Sequence, residues 1–349
     1  MRIREEVEKM DVKEYGGRSV KHEIQADMSA NINPSGVSPK AIERLNNLSS
    51  RHINHYYMPN SQLIGKIAEY VGLEPENIML GDGCDGCLSM IAQTFLSKGD
   101  QVMIPVPTFH RYEFHSRLMG ADCIHIPLGE LNHEHVSASN AKILFLCNPN
   151  NPTGTTIDKD MVEGYVRRFK GLVVIDEALA DGLQDCIDLV RKYDNLVIAR
   201  TFSKVLGMAG LRIGYLAGSR GLIDVIKKVS SPFKVNGIAQ EMAEAALEDK
   251  DFIRKSVEFI DEERERMLKT LREIGVRCSN SSSMNFLMST AKISSDPDNA
   301  LQILERKGVK VSPGGAFRIR DPHQVRIAVS TKRQNDHFLK TMKGLVEDA

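Results

Sequence analysis

Lys204 stands in the run Thr201-Phe202-Ser203-Lys204-Val205-Leu206-Gly207, directly after the apolar stretch Asn195–Arg200, and its neighbours are largely neutral. An ammonium group placed there loses hydration, which favours the neutral form and turns the lysine into an amine nucleophile. Gly210-Leu211-Arg212 follows, small residues that admit close backbone approach and then a guanidinium. The hydroxyls of Thr201 and Ser203, the amine of Lys204 and the guanidinium of Arg212 suit a ligand that carries both an aldehyde and a phosphate. Other segments offer matching chemistry. Gly81-Asp82-Gly83-Cys84-Asp85-Gly86 links a short apolar run to a helical pattern, and the free N–H groups of such a helix start attract anions. Val173-Val174-Ile175-Asp176 puts an acid at the end of an apolar run, where a carboxylate needs a partner such as a protonated ring nitrogen. Asn148-Pro149-Asn150-Asn151-Pro152-Thr153-Gly154 is a rigid turn. Arg326, between Val325 and Ile327, fits a guanidinium on a strand that points into a cleft and grips a carboxylate or phosphate. Arg318 and Arg320 could add a second grip, although surface arginines are the ordinary reading of both.

The elements that must position these groups follow from apolar patterning. Strands are expected at Ile78–Leu80, Gln101–Val106, Cys123–Pro127, Lys142–Cys147, Leu172–Asp176, Asn195–Thr201 and Arg212–Ala217. Helices are expected over Pro39–Leu48, Ser61–Val71, Asp85–Leu96, Thr108–Gly120, Lys159–Phe169 and Cys186–Lys192. Short apolar strands alternating with helices predict an α/β fold, a mainly parallel sheet covered by helices on both faces. Ligands of such sheets bind beyond the carboxyl ends of the strands, where the motifs fall. After Gly237 the texture changes to one long charged helix, Ile238–Ile274, and then to Phe286–Met288, the helix Pro297–Lys307, Val309–Val311, Gln324–Val329 and a closing helix Gln334–Val346. Residues 1–50 read as an N-terminal arm and part of a small domain, with a charged opening through Tyr15-Gly16-Gly17. Residues 51–237 read as the large ligand-binding domain and 238–349 as a smaller α+β domain.

Composition narrows the function. The chain has 349 residues, with 46 basic and 46 acidic side chains, so no charge excess recommends nucleic acid or an anionic membrane as partner. No apolar run spans a bilayer, the first residues lack a signal-peptide core, and a cytoplasmic protein is expected. Cys84-Asp85-Gly86-Cys87 is a lone C-x-x-C with no second pair, too little for a structural zinc site. His133, His135, His110 and His115 read as surface histidines, and no metal is expected.

Ser203-Lys204 with Gly210-Leu211-Arg212-Ile213-Gly214-Tyr215 resembles the lysine motif of fold-type-I pyridoxal-phosphate enzymes. The likeness is to the branch of histidinol-phosphate aminotransferases and threonine-phosphate decarboxylases and covers nearly the whole chain. It implies pyridoxal 5'-phosphate as cofactor, a large domain of that fold type, and a homodimer. It implies that Lys204 holds the cofactor's aldehyde as a Schiff base and moves the substrate proton, while Asp176 faces the ring nitrogen. Asn151 would donate to the phenolic oxygen and Phe109 would stack on the ring. The turn at Cys84 and Asp85, with Thr201, Ser203 and Arg212, would hold the phosphate. Tyr56 or Tyr57 would reach the partner subunit's site. Arg326 would bind the substrate anion, beside the loop Ser29-Ala30-Asn31-Ile32-Asn33-Pro34 that carries Asn31. The implied reaction passes an amino group between an anionic or phosphorylated amine, such as histidinol phosphate, and 2-oxoglutarate. One departure stands out: aminotransferases of the branch carry tyrosine where this chain has Leu179, and the decarboxylases carry an apolar residue. Decarboxylation of threonine phosphate is the alternative reaction. A silent cofactor-binding regulator is the third reading, against which the intact Lys204, Asp176 and Asn151 weigh.

Overall fold

The structure, a computed structural model, describes residues 2–10, 22–180 and 185–347. The expected arm through Tyr15-Gly16-Gly17 lies outside the described residues. The strands are β1 (Ala26–Asp27), β2 (Ile78–Gly81), β3 (Gln101–Val106), β4 (Asp122–Pro127), β5 (Ile143–Cys147), β6 (Leu172–Asp176), β7 (Leu196–Thr201), β8 (Gly214–Gly218), β9 (Asn285–Ser289), β10 (Val309–Lys310), β11 (Ser312–Pro313) and β12 (Gln324–Ala328). The large sheet has the order β2-β8-β7-β6-β5-β3-β4, parallel throughout except for β8, which runs against both its neighbours.

Period-two alternation feeds both faces of this sheet. Met103, Leu144, Leu146, Val173, Ile175 and Ile198 enter the core on one side. Val102, Ile104, Ile143, Phe145, Val174 and Val197 enter the core on the other. Each side is roofed by helices, so apolar area leaves water on both, at about 25 cal/mol per Å². The helix Gly83–Phe95 lies under one face and buries Cys87, Leu88 and Ile91 there.

A smaller sheet, β11-β12-β9, is antiparallel. Its apolar residues Phe286, Met288 and Ile327 join Met267 and Leu271 of the helix Lys250–Glu273 and Phe338 and Met342 of the last helix. Ala26 and Met28 complete this third cluster, because β1 pairs in parallel with β10. Among the described residues no helix is long and apolar enough to cross a membrane.

Several elements differ from their sequence reading. The long helix Ile238–Ile274 is two helices, Gly237–Leu247 and Lys250–Glu273. Asp249 interrupts them: its carboxylate accepts from Phe252 N–H as a cap and from Ser38 Oγ at 2.7 Å. The apolar side of the first helix joins the large-sheet core through Ala239, Met242, Ala243 and Ala246. The segment expected as a helix over Cys186–Lys192 is a 3₁₀ turn, Ile187–Arg191. The strand expected from Arg212 begins at Gly214; Arg212 itself is left-handed, φ 53°, after the turn Ala209–Leu211.

Candidate active site

The carboxyl ends of β5, β6 and β7 open on a cleft of about 540 Å³, closed on its far side by the loop after β1 and by the turn between β11 and β12. Lys204, Asp176, Cys84, Asp85, Phe109, Asn151, Thr201, Ser203, Arg212, Arg326 and Asn31 all line it. Residues separated by up to 295 positions in the chain thus meet in one cavity.

The Lys204 amine donates to the Asn31 carbonyl at 2.9 Å. Its pKa is drawn down to about 8, first by burial and then by the positive charge of Arg326, while Asp176 works in the opposite direction. Asp176 is buried, and burial raises its pKa. Its oxygens are met by the Ala178 N–H at 2.9 Å, the Tyr112 hydroxyl at 2.8 Å and the Cys84 thiol. Among the described residues no cation bonds this carboxylate directly, so a positively charged ring nitrogen would supply the partner that a buried acid needs.

The anion cup forms where β2 passes into the helix Gly83–Phe95. Gly83 has φ +80°, and a Cβ there would lie 2.5 Å from Arg212 Nη2. A Cβ on Gly214 would meet the Gly83 carbonyl carbon at 2.9 Å and the Cys84 nitrogen at 3.0 Å. Two glycines therefore let the turn, β8 and the guanidinium close to contact around the first helical N–H groups. Arg212 Nη1 also bonds Ala209 O at 3.0 Å and Ser203 Oγ at 3.4 Å, and Thr201 Oγ1 donates to Ser203 Oγ at 2.9 Å.

At the other end Arg326 is held by its neighbours, and among the described residues no carboxylate forms an ion pair with it. Nη1 donates to Asn151 Oδ1 at 2.9 Å, Nη2 donates to the Ser29 carbonyl, and the buried Nε has no partner among the described residues. Burial lowers its pKa to about 10, partly offset by Asp27. The bond to Asn151 takes the amide oxygen and leaves the Asn151 nitrogen as the available donor. Asn31 is fixed by a relay of amides: its Nδ2 donates to Asn285 Oδ1 at 3.0 Å, and Asn285 Nδ2 donates to Pro152 O at 2.7 Å. Leu179 packs with Val205, Ile260 and Met284 and gives this wall no hydrogen-bonding group.

Some expected residues stand differently. The Asp85 carboxylate is taken by Arg111, at 2.6 and 2.9 Å, and by His115 Nε2 at 2.9 Å. Although burial opposes it, those two partners hold its pKa down to about 2, so what Asp85 offers the cleft is its place in the helix start. His115 is accordingly buried rather than on the surface, and His110 lines the cleft. His133 is half-buried against Tyr165. Tyr56 is 84 % exposed and stacks on Phe233, whereas Tyr57 packs on His52 and over Gly237; neither lines this chain's own cleft. Arg318 is bound to Glu113 and Arg320 is exposed. Sequence reading missed Tyr112, Arg111 and His115. Tyr112, in the first turn of the helix Arg111–Leu118, meets the Phe109 ring edge to face at 5.8 Å, a contact no local pattern announced.

The aminotransferase class I and II family matches residues 23–342. The chain is 32 % identical over 337 residues to the histidinol-phosphate aminotransferase of Moorella thermoacetica, covering 91 % of this chain and 85 % of that one. It is 34 % identical over 325 residues to histidinol-phosphate aminotransferase 1 of Archaeoglobus fulgidus, covering 91 % and 98 %. In fold it is similar to the crystal structure of histidinol-phosphate aminotransferase from Sinorhizobium meliloti in complex with pyridoxal-5'-phosphate, with a TM-score of 0.89, 22 % identity and coverage of 99 % and 98 %.

Proposed function

The chain belongs to the class I and II aminotransferases, and we propose that it passes an amino group between an anionic amine, of which histidinol phosphate is the leading candidate, and a 2-oxo acid such as 2-oxoglutarate, with pyridoxal 5'-phosphate in the Lys204 cleft. The observation that carries this reading is that one cavity gathers an amine of depressed pKa, a buried acid bonded by no cation among the described residues and a glycine-lined anion cup. Bound there, the cofactor supplies an aldehyde for the amine and an electron-poor ring that takes up charge when a substrate proton leaves. The residues fit it by segment. The helix start at Gly83 and Cys84, with Ser203, Thr201 and Arg212, would hold the phosphate; Asp176 would pair with the ring nitrogen; the Asn151 amide nitrogen would donate to the phenolic oxygen; Phe109 would pack on the ring.

Lys204 is half-buried with its pKa lowered to about 8, so its nitrogen, when unprotonated, can take a proton from the substrate α-carbon and return one. Tyr112 and the Ala178 N–H keep Asp176 oriented. Arg326, buried and without an ion pair among the described residues, orients the substrate anion. The working unit in this proposal is a homodimer in which Tyr56 or Tyr57 reaches the partner's cleft, and the six free thiols support placing it in the cytoplasm.

Leu179 keeps a second reaction in view, decarboxylation of threonine phosphate. Incubation with histidinol phosphate, threonine phosphate and several 2-oxo acids, 2-oxoglutarate among them, separates the two. Amino transfer yields an amino acid from the oxo acid, decarboxylation yields carbon dioxide, and a silent binding protein yields neither. Lys204→Ala is expected to abolish turnover and the visible absorbance band; retention of both rejects the mechanism.

A further inference from the structure

The acid that ends β6 has a partner outside the lining of the cleft. Asp176 is 4 % exposed, and Tyr112 behind it is 1 % exposed. The Tyr112 hydroxyl donates to Asp176 Oδ2 at 2.8 Å, and the Ala178 N–H donates to Oδ1 at 2.9 Å. Each carboxylate oxygen thus has a donor within the chain, and both bonds lie where no second copy is needed to complete them.

Ring packing fixes the direction of that hydroxyl. The Tyr112 ring lies flat on Phe145 of β5, with centroids 5.1 Å apart and planes 7° from parallel. Phe109, which lines the cleft, meets the same ring at 82°. Ser116 Oγ donates to the Tyr112 carbonyl at 2.7 Å and secures the helix turn that carries it. Because β5 and β6 pair with Cys147 opposite Asp176, Phe145 brings the phenol to the acid from the neighbouring strand.

A buried carboxylate stays ionised only where donors replace the water it has lost. Burial pushes the Asp176 pKa up, while the Ala178 N–H, the Tyr112 hydroxyl, the Cys84 thiol and the Lys204 charge push it down. A thiol is a weak donor, and the Lys204 charge is gone once its amine reacts. The backbone N–H and the phenol remain, and of these two the phenol is the one a side chain supplies.

We propose that Tyr112 is a positioning residue for the reaction: by donating to Asp176 it keeps that carboxylate charged and aimed, and so gives the cleft its preference for a ring whose nitrogen can carry a proton. The inference rests on the cleft being a pyridoxal-phosphate site and adds a residue that stands outside its lining.

The test is calorimetric titration of the cofactor-free protein with two ligands, pyridoxal 5'-phosphate and its deaza analogue, in which a C–H replaces the ring nitrogen. Both carry the aldehyde and the phosphate, so the ratio of their affinities reads the acid. The wild-type protein is expected to favour pyridoxal 5'-phosphate. Tyr112→Phe keeps the ring stack, removes the hydroxyl and lowers the ratio by about tenfold or more, the effect of losing one hydrogen bond to a charged group. A merely structural loss would weaken both ligands alike, and an unchanged ratio in Tyr112→Phe overturns the proposal. Asp176→Asn is expected to abolish the preference, and adding Tyr112→Phe to it to change the ratio no further. A further drop in the double variant also overturns the proposal, since the phenol would then act other than through the acid. The two readings fail differently. A wild-type protein that binds neither ligand fails the cofactor reading and the proposal with it, whereas one that binds both equally fails the proposal and keeps the cofactor in the cleft.

Discussion

The depressed pKa of Lys204, about 8, arises from burial and from repulsion by Arg326, with Asp176 opposing. A lysine in water stays protonated to about 10.4, so the protein raises the reactive neutral fraction at neutral pH by about two orders of magnitude. The sign follows: the nucleophile is the unprotonated amine, so its reaction with an aldehyde quickens as pH rises and levels off above about 8. For cofactor-free protein mixed with pyridoxal phosphate, the rate of appearance of the visible band is expected to climb from pH 6 to about pH 8 and then flatten. A climb continuing to pH 10 would mean an ordinary solvated lysine. At this scale much was legible. Lys204, Asp176, Asn151 and Arg326 each sit in a short segment whose pattern states a strand end or a rigid turn. Tyr112 was not legible as a partner of Asp176, because a helix and a strand 64 positions apart meet only after the sheet is assembled.

At the scale of elements, the anion cup depends on one backbone conformation. Gly83 at φ +80° turns β2 into its helix and leaves Arg212 Nη2 where a side chain would begin. Gly83→Ala is expected to weaken pyridoxal-phosphate affinity by about tenfold or more, since left-handed backbone costs an L-residue roughly 1–2 kcal/mol and the new methyl displaces the guanidinium. Titration of the cofactor by absorbance checks this, and unchanged affinity would move the phosphate elsewhere. The neighbouring β6 end is braced differently. Glu177 is buried and accepts from Arg200 at 3.0 and 2.8 Å and from the Cys186 N–H at 2.7 Å, which fixes the chain on both sides of Leu179. Apolar runs forecast the strands well, and β3 and β6 have the bounds expected of them. The break at Asp249 was hidden because charged residues continue the helical pattern across it, while its partner Ser38 lies 211 positions away.

At the scale of the whole molecule, a short stretch of surface is left without cover. Ile53, Tyr56 and Met58 are 78, 84 and 62 % exposed, and Phe233 lies against Tyr56. Apolar side chains grouped this way mark an interaction surface, and the proposed homodimer commits it to a second copy of the chain. Sedimentation is expected to give a dimer, and Tyr56→Asp with Met58→Asp to give a monomer that binds the cofactor more weakly. A monomeric wild-type protein would leave both tyrosines without a role in the site.

The order of residues by itself determined the architecture, since an apolar period of two between helical stretches permits little besides a sheet roofed on both faces, and it pointed to Lys204, Asp176, Arg212 and Arg326 of the cleft through local signals. Only the tertiary structure decided how those side chains are divided. Asp85 is given to Arg111 and His115, Asn151 and Ser29 hold Arg326, and Glu113 keeps Arg318. Each of these is a pairing between distant segments. The strength of a charge in a cleft depends on which partners and how much water surround it, and a one-dimensional pattern carries neither.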